Sequence, residues 1–144
     1  MAVFTEEEQQ RIQKAVADAE KNTSGEVRVC MEKTCSEEAL DRAAKYFAQL
    51  EMHKTKLRNG VLIYVATVDR KFAIIGDAGI NSVVPANFWD TTKEEMLSQF
   101  KYGNLVEGIV AGIGIAGGQL KKYFPSVAND VNELPDDIAF MDGN

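Results

Sequence analysis

The stretch Asn59-Gly60-Val61-Leu62-Ile63-Tyr64-Val65-Ala66-Thr67-Val68-Asp69-Arg70-Lys71-Phe72-Ala73-Ile74-Ile75-Gly76-Asp77 decides the fold. Residues 61–68 form an apolar run that suits a central strand covered on both faces. Asp69 and Arg70 make a tight turn, and residues 71–75 read as a returning strand, so the stretch is an antiparallel hairpin. Upstream, residues 26–34 alternate. Val27, Val29 and Met31 face one way and Glu26, Arg28 and Glu32 the other, which is the pattern of a half-buried strand. A helix lies between the two strands. Ser36 is placed as its N-cap, Glu37 and Glu38 in its first turn, and Leu40, Ala43, Ala44, Phe47 and Leu50 on its buried face. Strand, helix, strand and hairpin imply a right-handed crossover joining two parallel strands, with the third strand antiparallel.

The flanks are helical. Thr5 and Glu8 make a capping box for a helix over residues 5–22, and Asn22-Thr23-Ser24-Gly25 stops it. Beyond Gly76-Asp77-Ala78-Gly79 the pattern turns helical again. Pro85 opens a short turn holding Phe88 and Trp89, Thr92 caps a helix over 93–101, and Gly103 ends it. A last helix over 104–123 contains five glycines, Gly108, Gly112, Gly114, Gly117 and Gly118. Each costs up to ~1 kcal/mol relative to alanine, and close approach of the helix to the sheet is the expected return. Residues 126–144 carry Asp130, Glu133, Asp136, Asp137 and Asp142 and no base, and read as a solvated acidic tail. The organisation is one α/β domain over residues 1–125, followed by that tail.

The 144 residues are 45% apolar and 26% charged, with 16 basic against 22 acidic side chains and a formal charge of −6. A chain of this length buries enough surface for one core without staples. The acidic balance disfavours nucleic acid and anionic membrane as partners and tolerates cations. Cys30 and Cys35 read as two free thiols, and a zinc centre is disfavoured because His53 is the only histidine and there is no CxxC. Met1 to Thr5 runs straight into Glu6-Glu7-Glu8, unlike a secretory signal, and the apolar stretch 109–118 is about half a membrane span. A soluble, cytoplasmic protein is expected.

P-loop, GxGxxG, GxSxG and HExxH signatures are missing, and His53 reads as an exposed loop residue. The hairpin topology brings Ser24-Gly25-Glu26, Asn59-Gly60 and Gly76-Asp77-Ala78-Gly79 to one edge. Two carboxylates and one amide oxygen there suit calcium or magnesium. The alternative is three ordinary turns with solvated acids. Phe88 and Trp89 likewise read either as rings stapling a short helix to the core or as a lid over this edge, with Asp90 or Asn81 adding an oxygen. At the opposite, carboxyl ends of the parallel strands, the polar candidates are Thr34, Ser36 and Asp69.

Thr23-Ser24-Gly25-Glu26-Val27-Arg28-Val29, the hairpin from Asn59 to Asp77, Gly79-Ile80, Phe88-Trp89 and the glycine-rich last helix together resemble the TPM domain family, over about residues 4–124. The resemblance implies a three-layer α/β/α sandwich around a small mixed sheet. It also implies divalent-cation binding by acids beside the sheet, with Glu26 and Asp77 at the centre and Asp90 as a third ligand. The family is often labelled a phosphatase domain, which implies metal-assisted phosphomonoester hydrolysis with Arg28 or Arg70 as a charge clamp. Three functions follow: a cation-binding accessory domain that stabilises or contacts another protein, a weak phosphatase, and a metal-independent interaction module docking through Phe88 and Trp89.

Overall fold

The computed structural model describes residues 4–126 and 136–142. Strands β1 (Glu26–Glu32), β2 (Gly60–Ala66), β3 (Lys71–Gly76) and β4 (Ala139–Phe140) form one sheet in the order β3-β2-β1-β4. β1 runs parallel to β2 and to β4, and β3 antiparallel to β2. The helices are α1 (Glu6–Glu20), α2 (Ala39–Gln49), α3 (Ala78–Asn81), α4 (Asp90–Phe100) and α5 (Leu105–Tyr123).

Strand alternation sorts the core into two halves. Val27, Val29, Val61, Ile63 and Ile74 pack on one face against Ile12 and Val16 of α1 and Ile109 and Ile113 of α5. Cys30, Leu62, Tyr64 and Ala73 pack on the other against Ala43 and Phe47 of α2. The result is the expected α/β/α sandwich, with α4 lying on α5. β2, buried at every residue, is the central strand that its apolar run requires. Each large aliphatic side chain fully withdrawn from water here contributes roughly 1.5–3 kcal/mol.

The capping box of α1 forms as expected: Glu8 N–H donates to Thr5 Oγ1 at 3.1 Å and Thr5 N–H to Glu8 Oε1 at 2.9 Å. Other boundaries move, for identifiable reasons. β2 stops at Ala66, and Val68, in the four-residue turn that follows, is 63% exposed. Ser36 does not cap α2; Glu38 precedes it with no side-chain cap. Residues 33–38 are tied down instead by Cys35 N–H donating to Asp69 Oδ2 at 2.7 Å, and by Lys71 Nζ donating to the carbonyls of Cys35 and Glu37. The buried face of α2 is Ala43 and Phe47 with Tyr46 and Leu50 packed beside them, while Leu40 and Ala44 are exposed. Thr92 lies inside α4, fully buried, and Trp89 is the residue before that helix.

The glycines of α5 work differently from expectation. A Cβ on Gly108 would lie 2.3 Å from Phe100, one on Gly112 2.5 Å from Met96, and one on Gly117 2.7 Å from Ala19. The close approach is to α4 and α1, not to the sheet. Gly114 and Gly118 meet nothing within 4 Å.

The carboxyl-terminal segment 136–142 does more than solvate the terminus. Ile138 and Ala139 are buried, one in each half of the core, Met141 N–H donates to Met31 O, and Lys33 N–H to Asp142 Oδ2. Asp130 and Glu133 lie outside the described residues.

Candidate functional site

The three glycine segments meet at one edge, as the topology requires. Glu26 is in register with Gly60, its N–H donates to Asn59 O at 3.3 Å, and Asp77 N–H donates to Gly60 O at 2.9 Å. Glu26 and Asp77 therefore flank the first residue of β2 from its two neighbouring strands. Both are buried, at 3% and 5% exposure. Asn59, between them in the chain's path, is 1% exposed, and its Oδ1 has no hydrogen-bond partner among the described residues. Its Nδ2 donates to Ser24 Oγ at 3.4 Å.

Asp77 is already engaged. Arg58 Nε and Nη2 donate to its two oxygens at 2.7 and 2.8 Å, and Oδ1 also accepts from Ala78 N–H as the N-cap of α3. The loop carrying Arg58 is pressed against the same turn. Gly79 N–H donates to Arg58 O at 2.9 Å, and a Cβ on Gly79 would fall 2.2 Å from Leu57 O. Asp90 opens α4 and is exposed. Its neighbour Trp89 is buried, with Cζ2 3.4 Å from where a Cβ on Gly76 would stand. Phe88 packs edge-to-face on Trp89 and on Tyr123. These rings staple α4 to the core, which removes the main support for a docking patch there. Asn81 Nδ2 donates to Gly76 O at 3.1 Å. Among the described residues, no three His, Cys, Asp or Glu side chains are arranged to hold an ion.

Two groups near β1 escaped the sequence reading. Glu20, at the end of α1, accepts from Val27 N–H at 2.8 Å, filling the ladder gap before β4 begins. Burial first, then a hydrogen bond with Asp136 and the nearby charge of Glu26, push its carboxyl up to about 9, against the backbone bond from Val27. The second group centres on Glu32 at the carboxyl end of β1. Its oxygens accept from Arg42 Nε at 2.9 Å, Tyr46 OH at 2.6 Å and Tyr64 OH. Burial raises its pKa, but these bonds outweigh it and the carboxyl lies below its usual value. Neither group has a local motif: Glu20, at the end of α1, meets Val27 of β1 and Asp136, more than a hundred residues further along the chain. The alternation does place Glu32 and Tyr64 on one face.

Cys30 and Cys35 are free and buried, Cys35 beyond the end of β1, and burial pushes the Cys30 thiol up to about 12. His53 is exposed in its loop. No helix among the described residues is long and apolar enough to cross a membrane.

A mixed sheet with one helix on one face and two on the other, its glycine turns gathered at the amino edge, defines a small α/β/α sandwich class. The family model described as TPM domain matches residues 1–119, and the chain belongs to that family. It is similar to the BA42 protein of the psychrophilic bacterium Bizionia argentinensis, solved by NMR. The two are 52% identical with a TM-score of 0.91, and the match covers 96% of each chain. It shares its fold with the N-terminal domain of a P. gingivalis protein, at 17% identity and a TM-score of 0.69, covering 85% of this chain and 80% of that one. No curated protein matches it.

Proposed function

We propose that this TPM domain is a non-catalytic module that binds calcium or magnesium at the amino edge of its sheet and so stabilises itself for contact with another protein. The observation that carries this reading is the buried Asn59 Oδ1, without a hydrogen-bond partner among the described residues, beside the backbone of the buried Glu26. A buried acceptor without a donor costs about 1–3 kcal/mol, and a hard cation relieves it. Glu26 and Asn59 Oδ1 form the centre of the site. Asp77 joins by exchanging Arg58 for the ion, with Asp90 as the third carboxylate. Because these oxygens are not gathered beforehand, affinity is weak and binding draws the edge together.

The phosphatase reading is less supported. Arg28 lies within β1, with Nη2 3.9 Å from Asp137 Oδ1, whereas Arg70 stands in the turn beyond the far end of β2. Arg70 therefore stands at the end of β2 away from Glu26 and Asp77, which leaves Arg28 alone of the two to serve a phosphoryl group held at that edge.

Thermal melts of the full chain with calcium, magnesium or a chelator test the proposal. A ligand at a hundred times its Kd adds about 2.7 kcal/mol. A cation-dependent rise in Tm that is lost in Glu26→Gln and reduced in Asn59→Ala is expected. No rise, or an equal rise in Glu26→Gln, would overturn it.

A further inference from the structure

A second feature lies at the other end of β2. A cavity of about 420 Å³ opens where the β2–β3 turn meets the junction of α4 and α5. Its floor is the cross-strand pair Val65 and Phe72, and its walls include Phe100 and Leu105. Phe72 and Phe100 meet edge-to-face at 5.1 Å, so this lining is held in place. Arg70 contributes from the turn, in the left-handed region at φ 55, and Lys101 from the end of α4. Both cations are exposed, and neither has an ion-pair partner among the described residues. Among the described residues, no acidic side chain lines the cavity. In a chain of formal charge −6, a cleft whose charged lining among the described residues is cationic favours an anion over the rest of the surface.

We infer that this cleft binds a small amphipathic organic anion, a carboxylate carrying an extended apolar body. The volume falls within the roughly 300–1,000 Å³ of small-molecule sites, and an apolar lining with few charged groups is the usual construction of such sites. The place agrees with the rule that ligands of open α/β sheets sit beyond the carboxyl ends of parallel strands. The body lies on Val65, Phe72 and Phe100. The carboxylate sits at the mouth between the guanidinium of Arg70, whose fork matches two oxygens, and the ammonium of Lys101.

Sodium decanoate titrated into the isotope-labelled full chain tests this by amide chemical shifts, with decanol as the neutral control. Saturable shifts confined to residues 65–72 and 97–105 are expected. Binding should weaken roughly fivefold to tenfold in Arg70→Gln/Lys101→Gln. Leu97, on the rim at 45% exposure, offers a variant with little folding cost. Leu97→Glu puts an acid in the mouth and should abolish decanoate binding while leaving the rest of the spectrum in place. Absence of saturable shifts in those segments, undiminished affinity in the double variant, or equal affinity for decanol would each overturn the inference.

Discussion

Arg58 grips both carboxylate oxygens of Asp77, at 2.7 and 2.8 Å, across the junction of a long loop and the end of β3. The guanidinium is half exposed while the carboxylate is buried, so the arginine acts as a surface clamp on an interior acid. Asp77 also accepts from Ala78 N–H, so one side chain serves as both helix cap and ion-pair partner, while its backbone N–H holds Gly60 O. Its replacement by alanine should cost about 1–2 kcal/mol through the cap alone, in chelator as well as in calcium. Urea unfolding in both conditions measures this.

If Arg58 and a cation compete for Asp77, removing the arginine should favour the cation. Arg58→Ala is therefore expected to lower Tm in chelator and to gain more from saturating calcium than the natural chain does. Parallel melts of the two proteins with and without calcium read the difference. Equal calcium shifts would restrict the site to Glu26 and Asn59.

The glycines divide into two groups with opposite expected signs. Gly79→Ala drives a methyl to 2.2 Å from Leu57 O and 2.5 Å from Arg58 O, both backbone atoms that cannot rotate away. It should destabilise strongly, and by more than Asp77→Ala, because the loop must leave the turn. Gly114 and Gly118 meet nothing within 4 Å, so alanine there should stabilise by about 0.5–1 kcal/mol through helix propensity. Denaturant midpoints of the three single variants decide the point.

Which parts of this molecule were legible in its sequence follows from the range of the forces involved. The capping box of α1, the alternation of β1 and the apolar run of β2 are local patterns, and each places its element. But β1 is buried on both faces and not half-buried, because α2 covers the face that carries Glu32, and β2 ends at Ala66, short of Val68. Convergence of Glu26, Asn59 and Asp77 follows from strand directions alone. The clamp on Asp77 was not legible, because Arg58 sits in a loop whose path is set by contact with Gly79. The fourth strand was hidden for a related reason. Ala139 and Phe140 are too short a pair to announce a strand, and they become one only because β1 offers an open edge. The glycines of α5 signalled close packing correctly, but one helix read alone cannot say which neighbour it approaches.

Tyr64 gives a test of the buried hub around Glu32. It is fully buried in β2, and its hydroxyl donates to Glu32 Oε2 beside the Arg42 and Tyr46 bonds. Hydrogen bonds to a charged group contribute about 1.5–3 kcal/mol. Tyr64→Phe should lose that amount, and Tyr46→Phe, half-buried on α2, should lose less. The double variant should depart from additivity because both act on one carboxylate. A double-mutant cycle by chemical denaturation checks it.

Glu20 and Glu32 should tilt stability in opposite directions with pH. Glu32 has its folded pKa lowered from the ordinary 4.5, net of burial, by Arg42, Tyr46 and Tyr64. The stability it contributes is complete above 4.5 and is lost as the pH falls through its folded value. Glu20 has its folded pKa raised to about 9, first by burial and then by Asp136. Between about 4.5 and 9 the folded chain keeps a proton that the unfolded chain releases, so this contribution is complete below 4.5 and declines as pH rises. Glu20→Gln imitates the protonated acid and cannot titrate. Measured in chelator, its stability relative to the natural chain should improve steadily from pH 5 to pH 9. Glu32→Gln should instead be destabilised at neutral pH, with its deficit shrinking toward pH 3. Unfolding curves at a series of pH values distinguish the two slopes, and a flat difference for Glu20→Gln would mean that Glu20 is ionised in the folded chain.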